Sequence, residues 1–299
     1  MKRIVNRRHF LTVSTLTTLG LCAGTAPWAS AAETRKKKLL YYTCSAGFEH
    51  SVVKRNNGQL SWSERILTEL GQKHGFDVEC TKDGSVFDRS LDPYDVIAFY
   101  TSGMLTQPDQ YKNPPMTLTG KKRLLDAITA GKGFVGIHPC TDSFHTPGKR
   151  DENQDPPDPY IAMLGGEFIR HGPQQVAAVR VSSPKFPGVE EMHGEFKALE
   201  EWYTHKNFAG DLHVILVMQT QGMQGDEYNR PPYPAAWARL HGKGRVFYTA
   251  FGHREDIWTN PVIQKHLVGG ISWAFKNVDV DVTPNIQKVT PKAWVLKNP

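Results

Sequence analysis

Cysteine is scarce in this chain: four in 299 residues, one of which, Cys22, falls within the first 31. The other three, Cys44, Cys80 and Cys140, are too few and too uneven for a disulfide framework, though one bridge is open to them outside the cytoplasm. No CxxC or HExxH spacing occurs, so any metal would have to be held by residues from separate loops. No apolar run reaches the roughly 20 residues that span a bilayer, which excludes a stable membrane span. Internal repeats and domain linkers are absent as well. A basic stripe is also lacking. The formal charge of +6 includes Lys2, Arg3, Arg7 and Arg8, and residues 1–31 contain no acid, so the remainder carries only +2. Beyond Lys36-Lys37-Lys38 nothing offers itself to a nucleic-acid backbone.

What is present begins with an export pattern. Asn6-Arg7-Arg8-His9-Phe10-Leu11, an apolar Thr-rich run to Ala23 and then Ala29-Ser30-Ala31 read as a twin-arginine signal peptide over residues 1–31. This predicts export to the periplasm after cleavage at Ala31. Leu21 before Cys22 is bulkier than lipoprotein processing usually accepts.

The mature part alternates apolar runs with helical patterns. Strands are expected at residues 37–43, 76–80, 95–100 and 134–137, the last with His138 at its carboxyl end, and helices from the Ser61-Trp62-Ser63-Glu64 cap signal to Gly71 or Gly75 and over residues 119–130. Such a rhythm argues for a parallel sheet. A Pro-rich loop at 143–159 interrupts it, and a short helix follows at 160–164. Strands are expected at 176–181 and 214–219, and 235–240 with 245–250 as a hairpin, before a helix at 261–275. Residues 277–299 have no periodicity and read as a surface tail.

Three strand-like runs end at or near a histidine: His50, His138 and His253. In open parallel sheets ligands bind beyond the carboxyl ends of the strands, so these histidines are expected to share one pocket. Pro139 biases the residue before it towards an extended conformation, placing His138 at the end of its strand. Imidazole suits both proton transfer near neutral pH and the ligation of a divalent metal, and the sequence leaves these two uses open. Glu200-Glu201-Trp202-Tyr203 offers aromatic faces and carboxylates for a sugar, with the alternative that Trp202 and Tyr203 pack in the core. His171 and His205 also stand where strands end or loops begin. Asp142 would orient His138 or cap a helix. Glu227, in Asp226-Glu227-Tyr228, would lie over the pocket or in a solvated turn.

Several pieces in order resemble the ThuA-like (trehalose-utilisation) family: Gly136-Ile137-His138 with Thr141-Asp142, Leu164-Gly165-Gly166-Glu167-Phe168, Glu201-Trp202-Tyr203, Ala235-Ala236-Trp237, Gly244 to His253, and Gly269-Gly270-Ile271-Ser272-Trp273-Ala274. The resemblance covers roughly residues 38–276 and delimits a domain at 32–276 followed by the tail. It implies an α/β, flavodoxin-like, mostly parallel sheet with helices on both faces, as in class I glutamine amidotransferases, and a link to sugar metabolism. Family members often carry a histidine where this chain has Tyr233.

The amidotransferase chemistry itself is not expected. It needs a cysteine on the strand-to-helix elbow, and here that place falls to His138, with Cys140 two residues beyond. The expectation is therefore an exported protein acting on a sugar or keto sugar through His138, His253 and Glu201. His50, Asp142, His171, Trp202, Tyr203, His205 and Glu227 would bind the substrate. The alternative is a non-catalytic sugar-binding module that works with a partner oxidoreductase or hydrolase.

Overall fold

The computed structural model describes residues 35–298. The export segment, with Arg7, Arg8 and Cys22, lies outside the described residues. β1 (Lys38–Tyr42), β3 (Val96–Phe99) and β4 (Gly133–Ile137) are buried almost throughout, as strands covered on both faces must be. They pair in parallel with one another and, at either side, with β2 (Asp77–Thr81) and β11 (Gly244–Thr249). The intervening helices are α1 (Trp62–His74) and α2 (Leu118–Ala130). α1 opens on a capping box in which Ser61 Oγ accepts from the Glu64 N–H and Glu64 Oε2 accepts from the Ser61 N–H at 2.8 Å. Gly75, at φ 80°, ends it in the left-handed conformation that a side chain would resist.

β6 (Gln175–Val181), β7 (Glu195–Glu200), β9 (His213–Met218) and β10 (Tyr233–His241) continue the sheet in antiparallel fashion. The nine-stranded order is β2-β1-β3-β4-β11-β10-β9-β6-β7. The sheet is mixed: its first five strands are parallel and the rest antiparallel. β10 and β11 are the expected hairpin, turning through Gly242. After the short α3 (Pro159–Leu164), β5 (Glu167–His171) pairs with β8 (Tyr203–Lys206) in a separate two-stranded ribbon. Glu201 and Trp202 thus occupy the step where the chain leaves the main sheet for the ribbon.

A short α4 (Glu255–Thr259) leads into α5 (Pro261–Ala274), which packs on β4 and β11. Its Gly269-Gly270 pair is required by that approach. A Cβ on Gly270 would lie 2.3 Å from the Phe247 ring, and one on Gly269 would lie 2.1 Å from the Pro187 carbonyl oxygen. Residues 277–298 run mostly exposed over the surface and are anchored to it at a few points. They include α6 (Ile286–Val289), bury Ile286 and Ala293, and dock through Asn285 Oδ1, which accepts from the Val214 N–H at 2.6 Å. Non-local contacts order this segment, and these leave no periodicity to read.

Candidate functional site

Each of the three strand-end histidines is fixed by a different device. His50 follows β1 and is buried edge-on against Tyr100, His138 and His253, with ring centroids 5.0–5.6 Å apart. His138 ends β4 with φ at +42°, not the extended value expected before Pro139. Proline disfavours the right-handed helical region at the preceding residue, and the abrupt turn from β4 into the helical turn His138–Asp142 is made through the left-handed one. That conformation costs of order 1–3 kcal/mol, and the surroundings hold it. The His138 carbonyl accepts from Tyr248 OH at 3.0 Å, and its Nδ1–H donates to the Ala250 carbonyl at 2.9 Å. Gly136 is part of the same turn, because a Cβ there would meet Cys140 Sγ at 2.6 Å. His253 follows β11 on a loop pinned at Gly252, whose carbonyl accepts from Tyr100 OH and from the Trp258 indole N–H at 3.1 and 2.8 Å.

Glu201 joins these histidines from the step between sheet and ribbon. Its Oε2 lies 3.1 Å from His253 Nδ1, 3.5 Å from His138 Nε2 and 3.6 Å from His50 Nε2. Its Oε1 lies 3.4 Å from His171 Nδ1, which also donates to the Gly172 carbonyl at 3.0 Å. One ligand atom from each of His50, His138, Glu201 and His253 falls within 4.8 Å of the others, so this group could hold a metal ion. Burial keeps His138 neutral, down to about 3, and lowers His50 too, against the pull of Glu201. Burial would raise Glu201, but the surrounding imidazoles of His138, His253 and His50 outweigh it and hold the carboxyl well below the usual carboxylate range.

The structure brings His50, His138, His171, Glu201 and His253 together, and adds Tyr203, whose hydroxyl is 3.5 Å from His50 Nε2 and whose ring stacks on His171. Other expected residues lie elsewhere. Trp202, on the step beyond β7, is in the core with its indole N–H on the Gln175 carbonyl. His205 is wholly buried behind His138, near Thr141 and Tyr248 OH, and presents no face to a ligand. Asp142 neither caps a helix nor touches His138; its Oδ1 accepts from His145 and Arg150 at 2.7 and 3.1 Å. Glu227 packs against Gly172 and Gly225 with Oε1 buried and unpartnered. Tyr233 donates to the Tyr203 carbonyl at 3.1 Å and so braces the ribbon.

Three residues in or beside the site escape sequence reasoning. His145, in the Pro-rich loop, sits between Asp142 and Glu167 at 2.7 and 3.2 Å. Burial works to lower it, but the two carboxylates prevail and push it up to about 9. Gln174 donates to His253 Nε2 at 2.8 Å while its own oxygen accepts from Arg254 at 2.9 Å. Phe48, 68% exposed, stands edge-on to His50 on its solvent side. None of the three has a spacing signal. Glu255, two residues after His253, accepts from Ser51 at 2.6 Å. A cavity of about 970 Å³ opens at the amino ends of the parallel strands, among Asp88, Arg89, Asp92 and Arg123. It lies at the edge away from the histidines, and its charges are mixed.

An α/β sheet whose elbow carries a histidine in a strained turn defines a protein of the class I glutamine amidotransferase-like fold with a different centre. Residues 38–274 match the ThuA family, described as trehalose utilisation, and the chain belongs to it. It is similar to a ThuA-like protein from Bacteroides uniformis, with 19% identity and a TM-score of 0.58 over 83% of this chain and 95% of that one. A ThuA-like protein from Parabacteroides merdae gives 17% identity and a TM-score of 0.55, covering 84% and 94%. No curated protein matches the chain. Among the described residues no helix is long and apolar enough to cross a membrane.

Proposed function

We propose that this protein is an exported enzyme of carbohydrate metabolism, of hydrolase or isomerase type, acting on a sugar or oxidised (keto) sugar at the cluster of His50, His138, Glu201 and His253. The observation that carries the reading is the convergence of three imidazoles on one ionised carboxylate at the carboxyl edge of the parallel strands. Membership of a trehalose-utilisation family supplies the substrate class. Phe48 on the solvent side of His50 and the outward edge of His171 offer a sugar one apolar and one polar surface. The export part rests on Arg7-Arg8 and the leader-like segment after them.

A glutaminase mechanism has no support in the geometry. Cys140 lies beneath β4 against Gly136, fully buried, and burial pushes its thiol far above the usual range. The alternative of a binding module with a partner oxidoreductase is weakened by the burial of Trp202, which removes the aromatic platform it would use. The test is turnover of a panel of glucosides and keto-glucosides by the parent chain and by Glu201→Gln. Turnover that Glu201→Gln abolishes supports the enzyme. Saturable sugar binding with no turnover of any of them favours the binding module.

A further inference from the structure

The contacts within the cluster leave one unfavourable pair unexplained. The Ala250 carbonyl can only accept, so the 2.9 Å contact fixes the hydrogen of His138 on Nδ1. Nε2 is then a lone pair. It is fully buried, has no hydrogen-bond partner, and points at Glu201 Oε2 from 3.5 Å. Two electron-rich atoms face each other in a desolvated place, an arrangement that costs free energy unless something positive sits between them. His50 Nε2 and His253 Nδ1 converge on the same oxygen from two further sides.

The surrounding contacts have the form of an outer shell. A ligating imidazole typically donates its other N–H to a backbone carbonyl or carboxylate, as His138 does to Ala250. A ligating carboxylate is held by its second oxygen, as Glu201 is by His171. The backbone beneath is fixed as well: Glu200, next to Glu201, accepts from the N–H groups of Glu201 and Gly252 at 2.9 and 3.1 Å, tying the Glu201 step to the His253 loop.

We infer that His50 Nε2, His138 Nε2, His253 Nδ1 and Glu201 Oε2 form the binding site of one divalent transition-metal ion. Three imidazoles and one carboxylate suit zinc or cobalt, and disfavour magnesium and calcium, which prefer all-oxygen sets. Donors about 2.0–2.2 Å from a tetrahedral zinc ion stand roughly 3.3–3.6 Å apart, and Glu201 Oε2 already lies 3.1–3.6 Å from the three nitrogens. The spread among the ligand atoms, up to 4.8 Å, closes by roughly an ångström when the imidazoles turn onto an ion held at such distances. Binding at His253 Nδ1 moves its hydrogen to Nε2, where Gln174 must reverse its amide to accept it. An ion here would polarise a carbonyl or hydroxyl oxygen of a bound sugar.

The inference deepens the proposed function and rests on the same pocket, but it is tested without any sugar, so the two can fail separately. The chain is stripped with a chelator and titrated with Zn²⁺, Co²⁺ or Mg²⁺ alone, by calorimetry and, for Co²⁺, by visible absorption. One equivalent of Zn²⁺ or Co²⁺ is expected to bind, with a raised melting temperature. Ligand-field bands of a low-symmetry Co²⁺ site are expected, and Mg²⁺ at equal concentration should leave them unchanged. His138→Gln and Glu201→Gln should each weaken binding by about a hundredfold or more, given that loss of an outer-shell partner alone typically costs 10–100-fold. Asp142→Asn, outside the ligand set, should stay within a few-fold. Glu201→Gln covers the case in which His138→Gln does not fold, since Glu201 is not in a strained turn. A folded, stripped parent that takes up no Co²⁺, or a Glu201→Gln variant that binds as tightly as the parent, overturns the assignment. Preference for Mg²⁺ overturns the choice of ion class.

Discussion

Glu200 and Glu201 are adjacent in the chain and meet opposite electrostatic fates. Glu200 is turned onto the backbone N–H groups of Glu201 and Gly252, and burial pushes its carboxyl up to about 7 against their pull. Glu201 is turned onto the histidines, which keep it ionised. Neighbouring residues leaving a strand point to opposite sides, so one carboxylate became a backbone clamp and the other the centre of the site.

That division predicts a division of effects. Glu201→Gln should lower turnover of a sugar substrate by ~10²–10⁴-fold, the usual weight of a lost acid–base or ligand group. Glu200→Gln keeps one acceptor for two N–H donors and should cost about 1–3 kcal/mol of stability, with a much smaller effect on turnover. Steady-state kinetics and chemical denaturation of both variants separate the two. Equal kinetic losses would mean that both carboxylates serve the reaction.

His138→Asn and Cys140→Ala test the elbow. Asparagine tolerates the left-handed backbone better than most residues and so preserves the turn. It removes the imidazole, and turnover should fall by ~10²–10⁴-fold. Cys140→Ala removes only a buried packing group, and turnover should stay within a few-fold of the parent. If the alanine variant is dead and the asparagine variant active, the chemistry belongs to the thiol.

His145 gives a pH signature in stability. Its folded value is raised to about 9 by Asp142 and Glu167, against about 6.5 for a free histidine. A raised value means that the folded state holds the proton more tightly, so the stabilisation is complete below about pH 6.5 and fades as pH rises through about 9. The stability difference between the parent and His145→Gln should therefore shrink from pH 6 to pH 9.5. Denaturant melts at the two pH values check this, and a constant difference would remove His145 as the source. With its side chain 31% exposed, salt should weaken the effect only in part.

The C-terminal segment should be part of the folding unit. Ending the chain after Asp281 removes Ile286, Ala293 and the Asn285 contacts with β9. Loss of one buried isoleucine and two hydrogen bonds predicts at least about 3 kcal/mol of destabilisation. Denaturation of the truncated chain measures it; an unchanged midpoint would make the segment an appendage after all.

Export is a separate question, read from residues outside the described part. Replacing Arg7 and Arg8 with lysine should leave the precursor in the cytoplasm if the twin-arginine route is used. Fractionation of cells followed by blotting shows the outcome, and unchanged export means another route.

The sequence by itself determined the parallel half of the sheet and the strand ends that carry the histidines. A strand buried on both faces must be a continuous apolar run, and such runs, as at residues 133–137, are visible without any partner in view. Parallel strands share one carboxyl edge, so His50, His138 and His253 could be assigned to a common place before any coordinate was known. Only the tertiary structure decided what that place is. The tautomer of His138 is set by a carbonyl 112 residues away, and the partner of Glu201 Oε1 by a ribbon that leaves the sheet. Trp202 and His205 read as ligand contacts in one dimension and lie in the core in three, because neighbouring rings assign burial. His145, Gln174 and Phe48 had no signal to give: their roles come from contacts between loops, and loop contacts leave no period in the sequence.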